Sequence, residues 1–138
     1  MKINDVLRYN RIIKDIIQNA TDVNALVKFK LLGMLKQFEP IVDDFETVRN
    51  DLIRKYGKLG EDSNYGVFLP KRDDYEDDDS YNKAVEEYEQ IINKLNDELK
   101  KVADSELDVK IQKFKYTDIM DSGLPTDYML ALYDLIEE

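Results

Sequence analysis

The 138-residue chain predicts an α+β protein dominated by helices. Its centre is a long antiparallel helical hairpin, flanked by N-terminal and C-terminal helices, with one or two short strands. Three observations predict this. Apolar residues recur at helical spacing over most of the length. Two stretches, 23–56 and 81–102, carry heptad seams of the kind that pack lengthwise on another helix. Only one stretch, 107–111, alternates apolar and polar residues as a half-buried strand does. The length suits one domain over 1–138, too short for two substantial cores.

Residues 1–22 hold the N-terminal helix. Asn4 or Asp5 can accept hydrogen bonds from the free amides of its first turn. Val6, Tyr9, Ile13, Ile16, Ile17 and Ala20 follow at helical spacing, with Arg8, Arg11 and Lys14 between them and an end near Asn19. This predicts an amphipathic helix packed on the core. Asp5, Asp15 and the acidic whole argue against a helix lying on anionic lipid.

Thr21 or Asp22 caps a second helix over 23–56. Its seam is Leu31, Leu35, Phe38, Val42, Phe45, Leu52 and Tyr56, with Arg49 at the one position that breaks the apolar register. Leu32, Ile41 and Val48 widen the stripe, so two neighbours are expected. Pro40 removes an intrahelical bond and crowds the preceding turn, which predicts a kink or break near Phe38 and Glu39. Gly33 marks a weak point or a close helix approach. Gly57 and Gly60 end the helix, with Arg54 and Lys55 placed against its C-terminal dipole.

Residues 58–80 form an acidic connecting loop. Residues 65–69 read as a short strand stopped by Pro70. The run Asp73, Asp74, Tyr75, Glu76, Asp77, Asp78, Asp79 repels itself and is expected to be exposed, its last members favouring the start of the next helix. That helix is the most regular in the chain. Tyr81, Val85, Tyr88, Ile92, Leu95, Leu99 and Val102 alternate steps of four and three, and charge fills the other faces. Ser80 or Asp79 can cap it.

Residues 106–138 give a strand and a last helix. Leu107, Val109 and Ile111 alternate with Asp108, Lys110 and Gln112. Phe114 and Tyr116 continue on the opposite parity, which places a bulge near Gln112 or ends the strand there. Residues 118–121 read as a turn. Pro125 then opens a helix, with Thr126 as a candidate cap, and residues 128–136 are apolar nearly all round and should dock into the core.

Composition excludes several chemistries. Histidine and cysteine are both absent, so no disulfide, Cys/His zinc site, cysteine nucleophile or Ser-His-Asp triad can be assembled. An acid or base would have to be Asp, Glu, Lys or Tyr. The net charge of −10 disfavours direct nucleic-acid binding, which draws on a basic face. GxxxxGK[ST] and GxGxxG are missing, so no nucleotide cofactor is expected. DDYEDDDSYNKA lacks the glycine at the sixth position and the glutamate at the twelfth of a calcium loop, and no metal is expected. No apolar run is long enough to span a bilayer. MKINDVLRYNRIIKDII carries charge throughout, unlike a secretory signal, so a cytoplasmic location is expected.

The candidate partner surface lies in the loop: Tyr65, Phe68, Asp73, Asp74, Tyr75, Glu76, Asp77, Asp78 and Asp79. Aromatics among carboxylates mark a contact surface, pack on the hairpin, or have no role; solvation and capping account for the acidic run itself.

The helix end LIRKYG (52–57), YNKAVEEYEQIINKLNDEL (81–99), ELDVKIQKFKYTDI (106–119) and the terminal GLPTDYMLALYDLIEE together form a layout. It resembles the small phage-encoded proteins of domain-of-unknown-function family 1617, over residues 24–138. Pro40 and the acidic run have no counterpart in that pattern. The resemblance implies a phage or prophage origin and carries over no functional residue. The expectation is a non-enzymatic bacteriophage protein acting through protein–protein contacts, by self-association or with a protein partner. It would be a structural or assembly component in the host cytoplasm or the virion. The alternative is an acidic nucleic-acid mimic that inhibits a basic host protein, such as a defence or other nucleic-acid-binding protein. A carboxylate-based metal-dependent enzyme is the third class.

Overall fold

A computed structural model of the chain describes residues 1–137. It is an α+β, mostly helical fold with two long helices and short strands. In order these are α1 (Ile3–Asn19), α2 (Ala25–Tyr56), β1 (Lys58–Leu59), β2 (Tyr65–Gly66), a 3-10 turn (Arg72–Asp74) and α3 (Asp78–Ala103). Then come β3 (Phe114–Lys115), α4 (Tyr116–Met120), α5 (Thr126–Ala131), a 3-10 turn (Tyr133–Leu135) and β4 (Ile136–Glu137). The chain divides into two compact units: Met1–Asp43 with the segment from Ser105 onward, and Asp44–Asp104.

The first unit holds the main core. α1 contributes Val6, Tyr9, Ile13 and Ile16, the first half of α2 contributes Val27, Leu31, Met34 and Phe38, and the C-terminal segment contributes Phe114, Ile119, Leu124, Leu132 and Leu135. The spacing of three and four within α1 and α2 keeps each set on one helix face. Tyr9 stacks on Phe38 with ring centroids 6.5 Å apart. Residues 105–107 are tied to the start of α1: the Ile3 N–H donates to the Ser105 carbonyl (3.1 Å) and the Leu107 N–H to the Met1 carbonyl (2.8 Å). β3 then pairs in parallel with β4.

Several boundaries differ from the sequence expectation. α1 starts one residue before Asn4, and Asp5 accepts from the Lys2 N–H (3.0 Å) from inside the first turn. α2 starts at Ala25, because Asn24 is its cap: the Asn24 Oδ1 accepts from the Leu26 N–H (2.9 Å), while the Asn24 N–H donates to the Ser122 carbonyl (2.6 Å). That tether holds Thr21 and Asp22 outside the helix. α2 runs through Pro40 without a break. Pro40 lies on the exposed side, where water can take the carbonyl that proline leaves unpaired. Leu32 and Val48 are exposed at 39% and 38%, so they do not widen the buried stripe.

Residues 107–111 have the predicted half-burial, with Val109 and Ile111 against the core, but form no ladder. Alternation reports which side is buried and says nothing about a pairing partner. The expected turn at 118–121 is the end of α4, and the last helix stops at Ala131. Leu132, between α5 and the 3-10 turn that follows, and Leu135, in that turn, are buried, while Leu130 and Tyr133 stay exposed.

Tyr9 makes the first unit sensitive to alkali. Its hydroxyl donates to the Asp134 carboxylate (3.3 Å). Burial pushes its ionisation above the ordinary tyrosine value, and the Asp134 charge pushes the same way, against the nearby Arg8 guanidinium. The folded state therefore holds this proton more tightly than the unfolded chain. The stability it contributes is complete below about pH 10 and is lost as pH rises through the raised folded value. A pH titration of the Tyr9 ring signal by NMR, beside urea melts at pH 8 and above 10, is expected to show late ionisation and falling stability.

Candidate functional site

The second unit pairs the C-terminal half of α2 with α3 as a helical hairpin. Asp77 is the cap of α3, two residues before Asp79 and three before Ser80, and its Oδ1 accepts from the Ser80 N–H (2.7 Å). Asp78 and Asp79 sit in the first turn and Lys100 and Lys101 in the last, each of the sign the helix dipole favours there. Tyr56 ends α2, and its hydroxyl donates to Glu98 (3.0 Å), in the last turns of α3. The end of α2 thus lies against the far part of α3. The loop covers the first half of the α3 seam instead: Tyr75 meets Tyr81 edge to face at 5.9 Å.

This offset opens a cavity of about 670 Å³ between the loop and α3. Tyr56, Phe68, Tyr75 and Tyr88 give it aromatic walls, and Glu61, Asp62, Asp74 and Glu87 outnumber Lys58 and Lys71 among its charged lining. β1 and β2 pair antiparallel, Lys58 with Gly66 and Leu59 with Tyr65. Phe68 folds back over this hairpin. A Cβ on Gly60 or Gly66 would lie 2.7 or 2.8 Å from its ring, so both positions need glycine for the ring to rest there. Asp62 holds the turn by accepting from the Asn64 N–H and side-chain amide (both 3.2 Å), bonds that keep its carboxyl below the usual aspartate range.

Of the predicted surface, Phe68, Asp74 and Tyr75 line the cavity; Tyr65, Asp73, Glu76, Asp77, Asp78 and Asp79 do not. Tyr65 and Phe68 are exposed at 50% and 56%. The acidic run is partly structural. Arg72 donates from Nε to Asp78 (2.9 Å) and from Nη1 to the Tyr75 carbonyl (2.7 Å), which pins the loop to the start of α3. Among the described residues, no group of three or more carboxylates is placed to hold a metal ion.

Capping gives Asp77 a measurable role. The Ser80 N–H, and then the Ser80 side chain, hold its carboxyl below the usual range. Its contribution to α3 is therefore present above the ordinary aspartate value and lost as pH falls through the lowered one. Asp77→Ala is expected to release the first turn, read as faster amide exchange at Ser80 and Tyr81 with the middle of α3 unchanged. Equal exchange in both proteins would remove the cap from the account.

Sequence reasoning missed a second feature, on the first unit. Leu26, Phe29 and Leu32 are exposed at 53%, 74% and 39%. At 3.6 residues per turn they lie on the side of α2 opposite Val27, Leu31, Met34 and Phe38. Their own spacing of three was the available signal, hidden by the stronger seam beside it. No helix among the described residues is long and apolar enough to cross a membrane. No family model, curated protein or solved structure matches this chain.

Proposed function

We propose that this chain is a non-enzymatic phage or prophage protein that works through protein contacts, as a structural or assembly component. The observation that carries the reading is the Leu26, Phe29, Leu32 ridge. A phenylalanine 74% exposed between two leucines stands in water on a helix whose other side already has its core. Fully covering an exposed side chain of this kind contributes at most about 1.5–3 kcal/mol, so the ridge favours a partner or a second copy by apolar burial. The phage context is supported by the resemblance of residues 24–138 to small phage-encoded proteins.

A second reading has its own support. Asp73, Asp74, Glu76 and Asp79 are exposed in the second unit of a chain with net charge −10, which suits a nucleic-acid mimic that occupies a basic host protein. Salt separates the two, because apolar burial persists where surface charge is screened. The test is light scattering of the pure protein at low and high salt, beside affinity capture from host and infected-cell lysates. The assembly reading expects an oligomer, or captured phage structural proteins, that survive high salt and the D77N/D78N/D79N variant. A host nucleic-acid enzyme that leaves as salt rises, and is not captured by the variant, would overturn it in favour of the mimic.

A further inference from the structure

We propose that the cavity between the loop and α3 takes the guanidinium of an arginine side chain presented by a protein partner. The inference rests on the protein-contact reading above and adds the chemistry of what is held.

The cavity has the size of a small-ligand pocket, and its walls suit a cation. Phe68, Tyr75 and Tyr88 offer aromatic surface, and a ring face attracts positive charge. Two of these rings are held in place. Phe68 rests over Gly60 and Gly66, and Tyr75 is braced by Tyr81 and by Arg72 on its carbonyl. Glu61, Asp74 and Glu87 add negative charge at the same cavity. Among the described residues none of the three takes part in a salt bridge, so their charge is not spent on Lys58 or Lys71.

Other ligands fit less well. A phosphate or nucleotide meets four carboxylates against two lysines. A neutral apolar side chain would cover the rings and leave the carboxylates unanswered. Arginine satisfies both: its plane stacks on aromatic faces, and its fork of N–H donors matches carboxylates. Asp74 is common to this site and the mimic surface, whereas Asp73, Glu76 and Asp79 do not line the cavity.

The test is an NMR titration of the labelled full chain with N-acetyl-arginine methylamide. The citrulline counterpart serves as a neutral isostere, and the lysine and glutamate counterparts as charge controls. Arginine is expected to shift the Phe68, Tyr75 and Tyr88 ring signals saturably, with a dissociation constant on the order of millimolar. Citrulline is expected to bind about tenfold more weakly. Glu87→Gln, an exposed position that leaves the fold intact, should weaken arginine about threefold, and D73N/D79N, exposed and outside the cavity, should leave it unchanged. Equal shifts with arginine and citrulline, shifts away from these rings, or no saturable shift would overturn the proposal. If arginine fails while a salt-resistant association persists, only this inference falls. If arginine binds a chain that associates with nothing, the assembly reading falls and the partner that would present the arginine falls with it, leaving only a cavity that selects guanidinium.

Discussion

Phe38→Ala is expected to lower the stability of the first unit by about 3–5 kcal/mol. Phe38 is fully buried, stacks on Tyr9 of α1, and shares a core with Phe114, Leu132 and Leu135 from the other end of the chain. Truncation removes the transfer energy of the ring and opens a hole among side chains from three segments. A domain has only about 5–15 kcal/mol in total, so the variant should be close to unfolding in mild urea. Phe45→Ala is the control, because Phe45 is half-buried and should cost less. Urea melts followed by circular dichroism check both. A loss below about 1 kcal/mol for Phe38 would mean that the core is not organised around α1 and α2 as described.

Gly123→Ala should be nearly as damaging for a different reason. Gly123 has φ +80°, where an L side chain is strained, and an added Cβ would run into the Asp22 carbonyl oxygen. Nothing there can move cheaply. Ser122 is buried, its Oγ donates to the Ile119 carbonyl (2.6 Å), and its own carbonyl takes the Asn24 N–H (2.6 Å). A loss of about 2 kcal/mol or more is expected from strain and collision together. Gly33→Ala should do the opposite. That position is in mid-helix with nothing within 4 Å of the added carbon, so the gain is about 0.5–1 kcal/mol. Thermal melts of the two variants should move in opposite directions.

Helical periodicity made α1, α2 and α3 legible, because each turns one apolar stripe inward, although α2 also leaves Leu26, Phe29 and Leu32 exposed on its other side. The seam of α3 did not reveal what covers it. Tyr81 and Tyr88 follow a heptad as faithfully as Leu95 and Leu99, yet Tyr81 meets Tyr75 of the loop and Tyr88 lines the cavity, while the end of α2 reaches Glu98. Heptad spacing encodes a face, and the partner is set by where the preceding chain turns back. The C-terminal segment misled for a related reason: Val109 and Ile111 alternate with exposed residues because they meet the core, without a strand ladder along 107–111. Capping was hidden by rival candidates. Asn24 and Asp77 each stand within three residues of other good caps, and the choice depends on contacts such as Asn24 to Ser122. For the candidate site, Phe68, Asp74 and Tyr75 were visible as aromatics among carboxylates. Tyr88 and Glu87 were not, because they belong to a helix whose spacing gave them a full explanation already.

We propose that this chain works by an apolar protein contact made through the outer side of α2. Its most direct test is light scattering of the pure protein and capture from infected-cell lysate, both at high salt, comparing the natural chain with Phe29→Asp. Phe29 is 74% exposed, so the change leaves the core untouched and a circular dichroism melt should be the same for both. A salt-resistant oligomer or captured structural protein is expected with the natural chain, and its loss with Phe29→Asp. Association that is unchanged by Phe29→Asp, or a chain that is monomeric and captures nothing at high salt, would contradict it.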